Sequence, residues 1–246
     1  MGRIGIFGGT FNPVHKGHVR LCRQCMQQLS LDSMLILPAK IPPHKDAPML
    51  APSRERIEML KLAFSGMPVE VSDIECRLPG KSYTVRTLRL LKEQYPDDTF
   101  YLLIGSDMLY TFEQWREYEE ILKLACVVVG ARQEEEYRAL CQKRLSFGAL
   151  SDRILILRIE VTEVSSTEIR AQIAAGYSPD EDWIPKEVLS YIMEKGLYQP
   201  FSEAALCSYE QSARRALRDK RFYHTQCVAK LAGELAVCYG ADERKA

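Results

Sequence analysis

The chain has 246 residues, 46% of them hydrophobic and 27% charged, which are the proportions of an ordinary globular protein. Its 33 basic and 33 acidic residues cancel, which excludes whole-chain attraction to nucleic acid or to an anionic membrane surface. No apolar run approaches the about 20 residues of a membrane span, and the N-terminus enters a strand with no room for a signal peptide, so a cytoplasmic location is expected.

The first element is a short apolar run, Ile4 to Phe7, that reads as a strand. Gly8-Gly9-Thr10-Phe11-Asn12-Pro13-Val14-His15-Lys16-Gly17-His18 follows it, and then a helical pattern through Val19, Leu21, Met26 and Leu29. Strand, glycine-rich turn and helix together present main-chain N–H groups to phosphate. Gly8 and Gly9 allow close approach of an anion, and Pro13 stiffens the turn. His15 and His18 are three apart and share a face on a helical first turn. Two imidazoles at a helix N-terminus suit a phosphorus centre that gains negative charge in a transition state. The stretch is neither G-x-G-x-x-G nor a Walker loop; a tight turn with two incidental histidines is the alternative. Cys22-x-x-Cys25 lies inside the helix rather than at its start, and no second pair completes a zinc site, so the eight cysteines read as reduced packing residues.

Residues 33–39 form a second, almost unbroken apolar strand, as in a parallel sheet covered on both faces. Lys40-Ile41-Pro42-Pro43-His44-Lys45 is a stiff loop beyond its C-terminal end, where open α/β sheets place ligands. A helix is expected over 53–64, with Arg54 and Arg56 on an exposed face, and a strand over 69–76 from its alternation. Ser82-Tyr83-Thr84 opens a helix running to about Tyr95. Residues 100–104 are a central strand ending in Gly105-Ser106-Asp107. That is a place for a ribose diol contact, or for an acid that merely caps the next helix. Trp115 sits in a polar run and is expected to be partly exposed. Residues 124–131 are another buried strand, ending at Arg132, where a guanidinium can neutralise phosphate. A charged helix over 134–144 and a last strand over 153–159 lead to Val164-Ser165-Ser166-Thr167-Glu168-Ile169-Arg170. Ser165 and Glu168 have capping-box spacing, and Arg170 one turn on completes a second anion cradle.

Several of these stretches carry a resemblance. Gly8-Gly9-Thr10-Phe11-Asn12-Pro13 followed by His15-x-x-His18 resembles the HxGH nucleotidylyltransferases. Within them, residues 1–199 look like the bacterial nicotinate-nucleotide adenylyltransferase family. The likeness implies an α/β fold with a Rossmann-like, mostly parallel sheet of five or six strands and helices on both faces. It implies adenylyl transfer from ATP to nicotinic acid mononucleotide, with Mg²⁺ carried in on ATP. His15, His18 and Lys45 would be catalytic. Gly8, Gly9, Thr10, Phe11, His18, Gly105, Asp107, Ser165, Ser166, Thr167 and Arg170 would hold ATP. His44, Lys45, Tyr83, Thr84, Trp115 and Arg132 would hold the mononucleotide, Tyr83-Thr84 by its main chain and Trp115 against the pyridine ring. No nucleic-acid or membrane partner is implied, and a homo-oligomer is left open. A sibling enzyme with another phosphate acceptor, such as phosphopantetheine, and a non-catalytic nucleotide sensor are the alternatives.

Trp183-Ile184-Pro185 through Leu197-Tyr198 closes the family pattern, with hydrophobic packing the expected role of Trp183. Residues 200–246 add a short helical extension of two helices, about 202–219 and 225–239, with one apolar face through Val228, Leu231 and Leu235. Arg221-Phe222-Tyr223-His224-Thr225 resembles the opening of an HD-type phosphohydrolase domain. Its later metal ligands are absent from the sequence, so no hydrolase activity is expected and the extension reads as a truncated piece of a longer fusion.

Overall fold

Six apolar segments become the strands of one sheet: β1 (Arg3–Gly9), β2 (Ser33–Pro38), β3 (Val69–Val71), β4 (Thr99–Ile104), β5 (Ala125–Ala131) and β6 (Ile154–Arg158). Their order is β3-β2-β1-β4-β5-β6, and every adjacent pair is parallel. The computed structural model describes residues 2–40, 49–78, 82–160, 164–199, 210–211, 214–215, 217 and 219–238.

The unbroken apolar runs follow from burial on both sides. Met34, Ile36, Tyr101, Leu103 and Val128 face one core, and their neighbours Leu35, Leu37, Phe100, Leu102, Val127 and Val129 face the other. Four helices cover the first face: α1 (Lys16–Gln28), α2 (Ser53–Ala63), α8 (Ser166–Ala174) and α9 (Lys186–Glu194). Another four cover the second: α4 (Thr84–Gln94), α5 (Ser106–Tyr110), α6 (Tyr118–Leu124) and α7 (Glu134–Leu145). The chain winds from β1 out to β3, returns to the middle, and winds from β4 out to β6. The crevice between the C-terminal ends of β1 and β4 is therefore the topological switch point, where such sheets bind ligands.

Residues 69–76 do not form one strand. β3 stops at Val71, and a short helix, α3 (Ile74–Arg77), follows. Ser72 N–H still reaches the Ile36 carbonyl at 3.0 Å. The chain then turns so that Glu75, 8% exposed, accepts from Thr87 Oγ1 at 3.1 Å on α4. The alternation in sequence thus reflects a helical turn burying Ile74 and Glu75. Nor is Arg56 on an exposed face: it is 1% exposed. Its aliphatic stem crosses into the interior because its guanidinium finds three carbonyl oxygens there.

Cys22 and Cys25 are buried on α1 facing the first core, and burial pushes both thiols up to about 12, so they stay protonated. The extension contains a helix, α10 (Asp219–Cys238), that starts earlier than expected. Arg221 and Thr225 lie inside it, Thr225 Oγ1 donating to the Arg221 carbonyl at 2.9 Å. Val228 and Leu231 remain more than half exposed, so they do not pack on the sheet domain. No helix among the described residues is long and apolar enough to cross a membrane.

Candidate active site

The turn after β1 is built from inside the protein. Phe11 has φ 49°, a left-handed conformation, and its ring is buried edge-on against Phe7 (5.3 Å) and His18 (5.1 Å). Its side chain is therefore core, and only its main chain is available to a nucleotide. His15 occupies the cap position of α1 in an extended conformation, and His18 is the third helical residue. The His15 N–H donates to His18 Nδ1 at 3.2 Å. An Nδ1 that accepts carries no proton, which places the neutral ring's proton on Nε2 as a donor. The two rings lie 3.7 Å apart between centroids. Gly17 makes this possible, because a Cβ there would lie 3.0 Å from His15 Nδ1 and 3.3 Å from Val164 Cγ1.

Burial lowers the His15 pKa from 6.5 to about 4. Burial, and then the neighbouring His15, hold His18 well below its ordinary value. Both imidazoles are neutral at pH 7, and each is able to donate a hydrogen bond from its N–H. Crowding, not a counter-charge, sets this state. His15 Nδ1 is buried and makes no full hydrogen bond among the described residues, the His18 main-chain N–H only approaching the His15 side chain in a capping-box arrangement.

The second signature packs directly on the first. Ser166 Oγ donates to the Pro13 carbonyl at 2.8 Å, and Arg170 Nη1 to the Asn12 carbonyl at 2.7 Å. Arg170 Nη2 reaches Thr167 Oγ1 at 3.3 Å. The capping box forms as its spacing predicts: Ser165 Oγ accepts from Glu168 N–H at 3.1 Å, and the Ser165 N–H donates to Glu168 Oε2 at 3.1 Å. Ser165 and Ser166 thus use their hydroxyl protons internally, Ser165 on Glu168 Oε2. The donors left over at the start of α8 are main-chain N–H groups and the remaining N–H groups of Arg170.

Gly105 and Asp107 close the other side of the crevice, beyond β4. Gly105 is the cap residue of α5, and Asp107 is the acid of its first turn. A Cβ at position 105 would lie 2.5 Å from Asp107 Oδ1, which explains the glycine: it lets the carboxylate fold back over the strand end. Tyr83 is the cap residue of α4 and Thr84 its first residue. Trp115 is partly exposed, as expected, resting on Phe112 with centroids 5.2 Å apart. The Arg116 guanidinium lies over the Tyr83 ring at 5.0 Å, which brings Tyr83 beside the Trp115 segment.

Arg132 is exposed, and its main-chain N–H donates to Glu136 Oε2 at 2.6 Å. It lines an open cleft of about 380 Å³ with Gln24, Gln28, Arg158 and Glu160; neither Tyr83 nor Trp115 lines that cleft. His44 and Lys45 lie outside the described residues.

Three side chains that hold the turn went unread in sequence. Asn12, 3% exposed, accepts from Ala51 N–H at 3.0 Å and from Tyr198 Oη at 2.9 Å, and donates to the Met49 carbonyl at 3.1 Å. Tyr198, from the far end of the same domain, is buried, and burial pushes its phenol up so that it stays a donor. Arg56 donates to the Thr10 carbonyl at 2.8 Å. Only Asn12 had a local signal, its place before Pro13 inside the glycine-rich turn.

Comparison with known proteins bears on the family and the fold. A family model described as cytidylyltransferase-like matches residues 6–172. A relative from Gloeobacter violaceus, named probable nicotinate-nucleotide adenylyltransferase, is 38% identical over 200 residues, which are 80% of this chain and 96% of the relative. The chain belongs to the nicotinate-nucleotide adenylyltransferase family. A second relative of that name, from Lachnoclostridium phytofermentans, is 34% identical over 200 residues and is covered completely. The fold matches the Plasmodium falciparum nicotinic acid mononucleotide adenylyltransferase solved in complex with NaAD, with TM-score 0.65 at 19% identity, over 80% of this chain and 98% of that one. In this family member the turn after β1 and the start of α8 lie about 150 residues apart in sequence and in direct contact in space.

Proposed function

We infer that this enzyme transfers the adenylyl group of ATP to nicotinic acid mononucleotide, giving nicotinic acid adenine dinucleotide and pyrophosphate. The observation that carries the reading is the contact of Ser166 with Pro13 and of Arg170 with Asn12 at the β1–β4 switch point. It sets two main-chain anion cradles side by side, as a triphosphate requires.

A phosphate oxygen of the mononucleotide attacks the α-phosphorus in line. The new O–P bond forms as the bond to the β-phosphate bridging oxygen breaks, and pyrophosphate leaves. No covalent enzyme intermediate is needed, so catalysis is positioning plus stabilisation of charge. His18 Nε2–H and the His15 ring donate hydrogen bonds to the α-phosphate as its oxygens gain charge. Gly8, Gly9, Thr10 and Phe11 contribute main-chain contacts, and Arg170 faces the β- and γ-phosphates with the α8 N–H groups. Asp107 takes the adenosine ribose hydroxyls. Tyr83, Thr84 and Trp115 receive the nicotinate ring and carboxylate, while His44, Lys45 and Arg132 neutralise the mononucleotide phosphate.

Mg²⁺ enters as part of the nucleotide substrate. Among the described residues no cluster of three His, Cys, Asp or Glu side chains could hold an ion, and phosphate oxygens and water suit this metal. Residues 1–199 are the catalytic unit of a cytoplasmic enzyme, and 200–246 a helical appendage. Tritium-labelled mononucleotide incubated with MgATP should yield a labelled dinucleotide. No labelled dinucleotide would overturn the reading, and transfer only to phosphopantetheine would install the sibling activity in its place.

A further inference from the structure

We propose that Arg56 is a further positioning residue of the phosphate site, whose buried charge takes the substrate's polyphosphate as its counter-ion. The proposal rests on the adenylyl-transfer reading of the turn after β1.

Arg56 sits on the first turns of α2 and is 1% exposed. Its guanidinium makes four hydrogen bonds: Nε to the Ala51 carbonyl (3.1 Å), Nη1 to the Thr10 carbonyl (2.8 Å), and Nη2 to the Ala39 carbonyl (2.8 Å) and Ser53 Oγ (3.0 Å). All four acceptors are neutral. A guanidinium keeps its charge in a protein, and a charge taken out of water without an opposite charge is destabilising. Bonds to carbonyl dipoles satisfy the donors without cancelling the charge.

The cation lies directly behind the turn that meets the nucleotide. Holding the Thr10 carbonyl also fixes the plane of the Thr10–Phe11 peptide, and in a trans peptide the Phe11 N–H points the opposite way, away from Arg56. One side chain therefore aims a main-chain donor and places positive charge behind it. Arg170 repeats the pattern at the next carbonyl but one, bonding Asn12 and Thr167. The Tyr198 phenol lies within the field of both guanidinium groups and Cys76 within that of Arg56. Among the described residues neither neighbour is a carboxylate, so the opposite charge that balances this pair arrives with the substrate.

Thermal unfolding of the full chain in the presence of magnesium pyrophosphate tests this without an acceptor. The wild-type protein should show a rise in Tm that saturates with pyrophosphate. Arg56→Gln keeps an amide donor and loses the charge. Its pyrophosphate Kd, from the concentration dependence of that rise, should weaken about tenfold, whatever happens to the ligand-free Tm. A wild-type Kd in folded Arg56→Gln would overturn the proposal, because a purely structural arginine would shift only the ligand-free Tm.

If Arg56→Gln does not fold, Arg56→Lys decides. A buried lysine loses its proton within reach of the experiment and an arginine does not. Tyr198, Cys76 and Arg170 face both side chains alike. The ratio of mutant to wild-type Kd should therefore climb between about pH 7 and about pH 9.5. A flat ratio would overturn the proposal. No pyrophosphate-induced rise in the wild type would overturn the reading of the turn itself, a failure distinct from either variant's.

Discussion

His15 and His18 show how an environment chosen by packing sets a chemical role. Their rings touch each other, and His18 also touches Phe7 and Phe11; burial keeps both rings neutral, so two uncharged donors remain. The consequence for stability has a definite sign. A histidine whose folded pKa is depressed to about 4 stays neutral while the unfolded chain takes up a proton below about 6.5. Stability is thus full above pH 6.5 and falls as the pH drops toward 4, by about 3 kcal/mol for a histidine as buried as His15. Urea unfolding of His15→Asn against the wild type across this window should show a shallower decline in the variant. Equal slopes would mean that the ring is not held neutral. For catalysis, His18→Ala should lower kcat by about 10²-fold with the ATP Kd little changed, since the donor matters most where charge develops. Near wild-type turnover would remove His18 from the mechanism. Both histidines were legible in sequence from their spacing. Their neutrality was not, because it comes from burial in the folded chain, with Phe7 and Phe11 packed on His18 and His18 on His15. Arg56 was misplaced for a related reason: a helical pattern cannot reveal that three carbonyls from other segments converge on one guanidinium.

At the level of elements, α8 does two separable things. Its capping box holds its own first turn, and Ser166 and Arg170 tie that turn to the loop after β1. Ser165→Ala should cost about 1 kcal/mol of stability in urea unfolding, the ordinary value of a lost cap. Ser166→Ala should cost comparably little stability but raise the KM for ATP several-fold, by loosening one cradle against the other. If both variants show the same KM as the wild type, the Ser166 contact does not register the two cradles. Elements bounded by strong local chemistry were readable, including the Ser165–Glu168 box and the long apolar strands. The segment after Val71 was not. Its alternation fits a strand, but β3 is an edge strand with one neighbour, and the inward bond of Glu75 to Thr87 turns the chain into α3 instead.

The whole molecule divides its labour along the sheet. Strand order places β1 and β4 side by side, and the turn at that crevice is held from α2 by Arg56, from α8 by Ser166 and Arg170, and from the segment after α9 by Tyr198. The extension beyond 200 contributes nothing of this kind among the described residues, and its helix leaves Val228 and Leu231 exposed. A chain ending after residue 199 should keep kcat within about twofold, because no contact of the site among the described residues is lost. A large loss would show that the extension supports the catalytic unit. The fold class was legible because buried parallel strands announce themselves as apolar runs. The direct contact of segments 150 residues apart was implied only by resemblance.

The most direct measurement is steady-state pyrophosphate release from MgATP with nicotinic acid mononucleotide and, separately, with its amide. Adenylyl transfer at this site should make release depend wholly on the acceptor. A pocket that meets the nicotinate carboxylate with main-chain N–H groups at Tyr83 and Thr84 should favour the acid by at least about tenfold in kcat/KM. Release that ignores the acceptor, or equal kcat/KM for acid and amide, would contradict it.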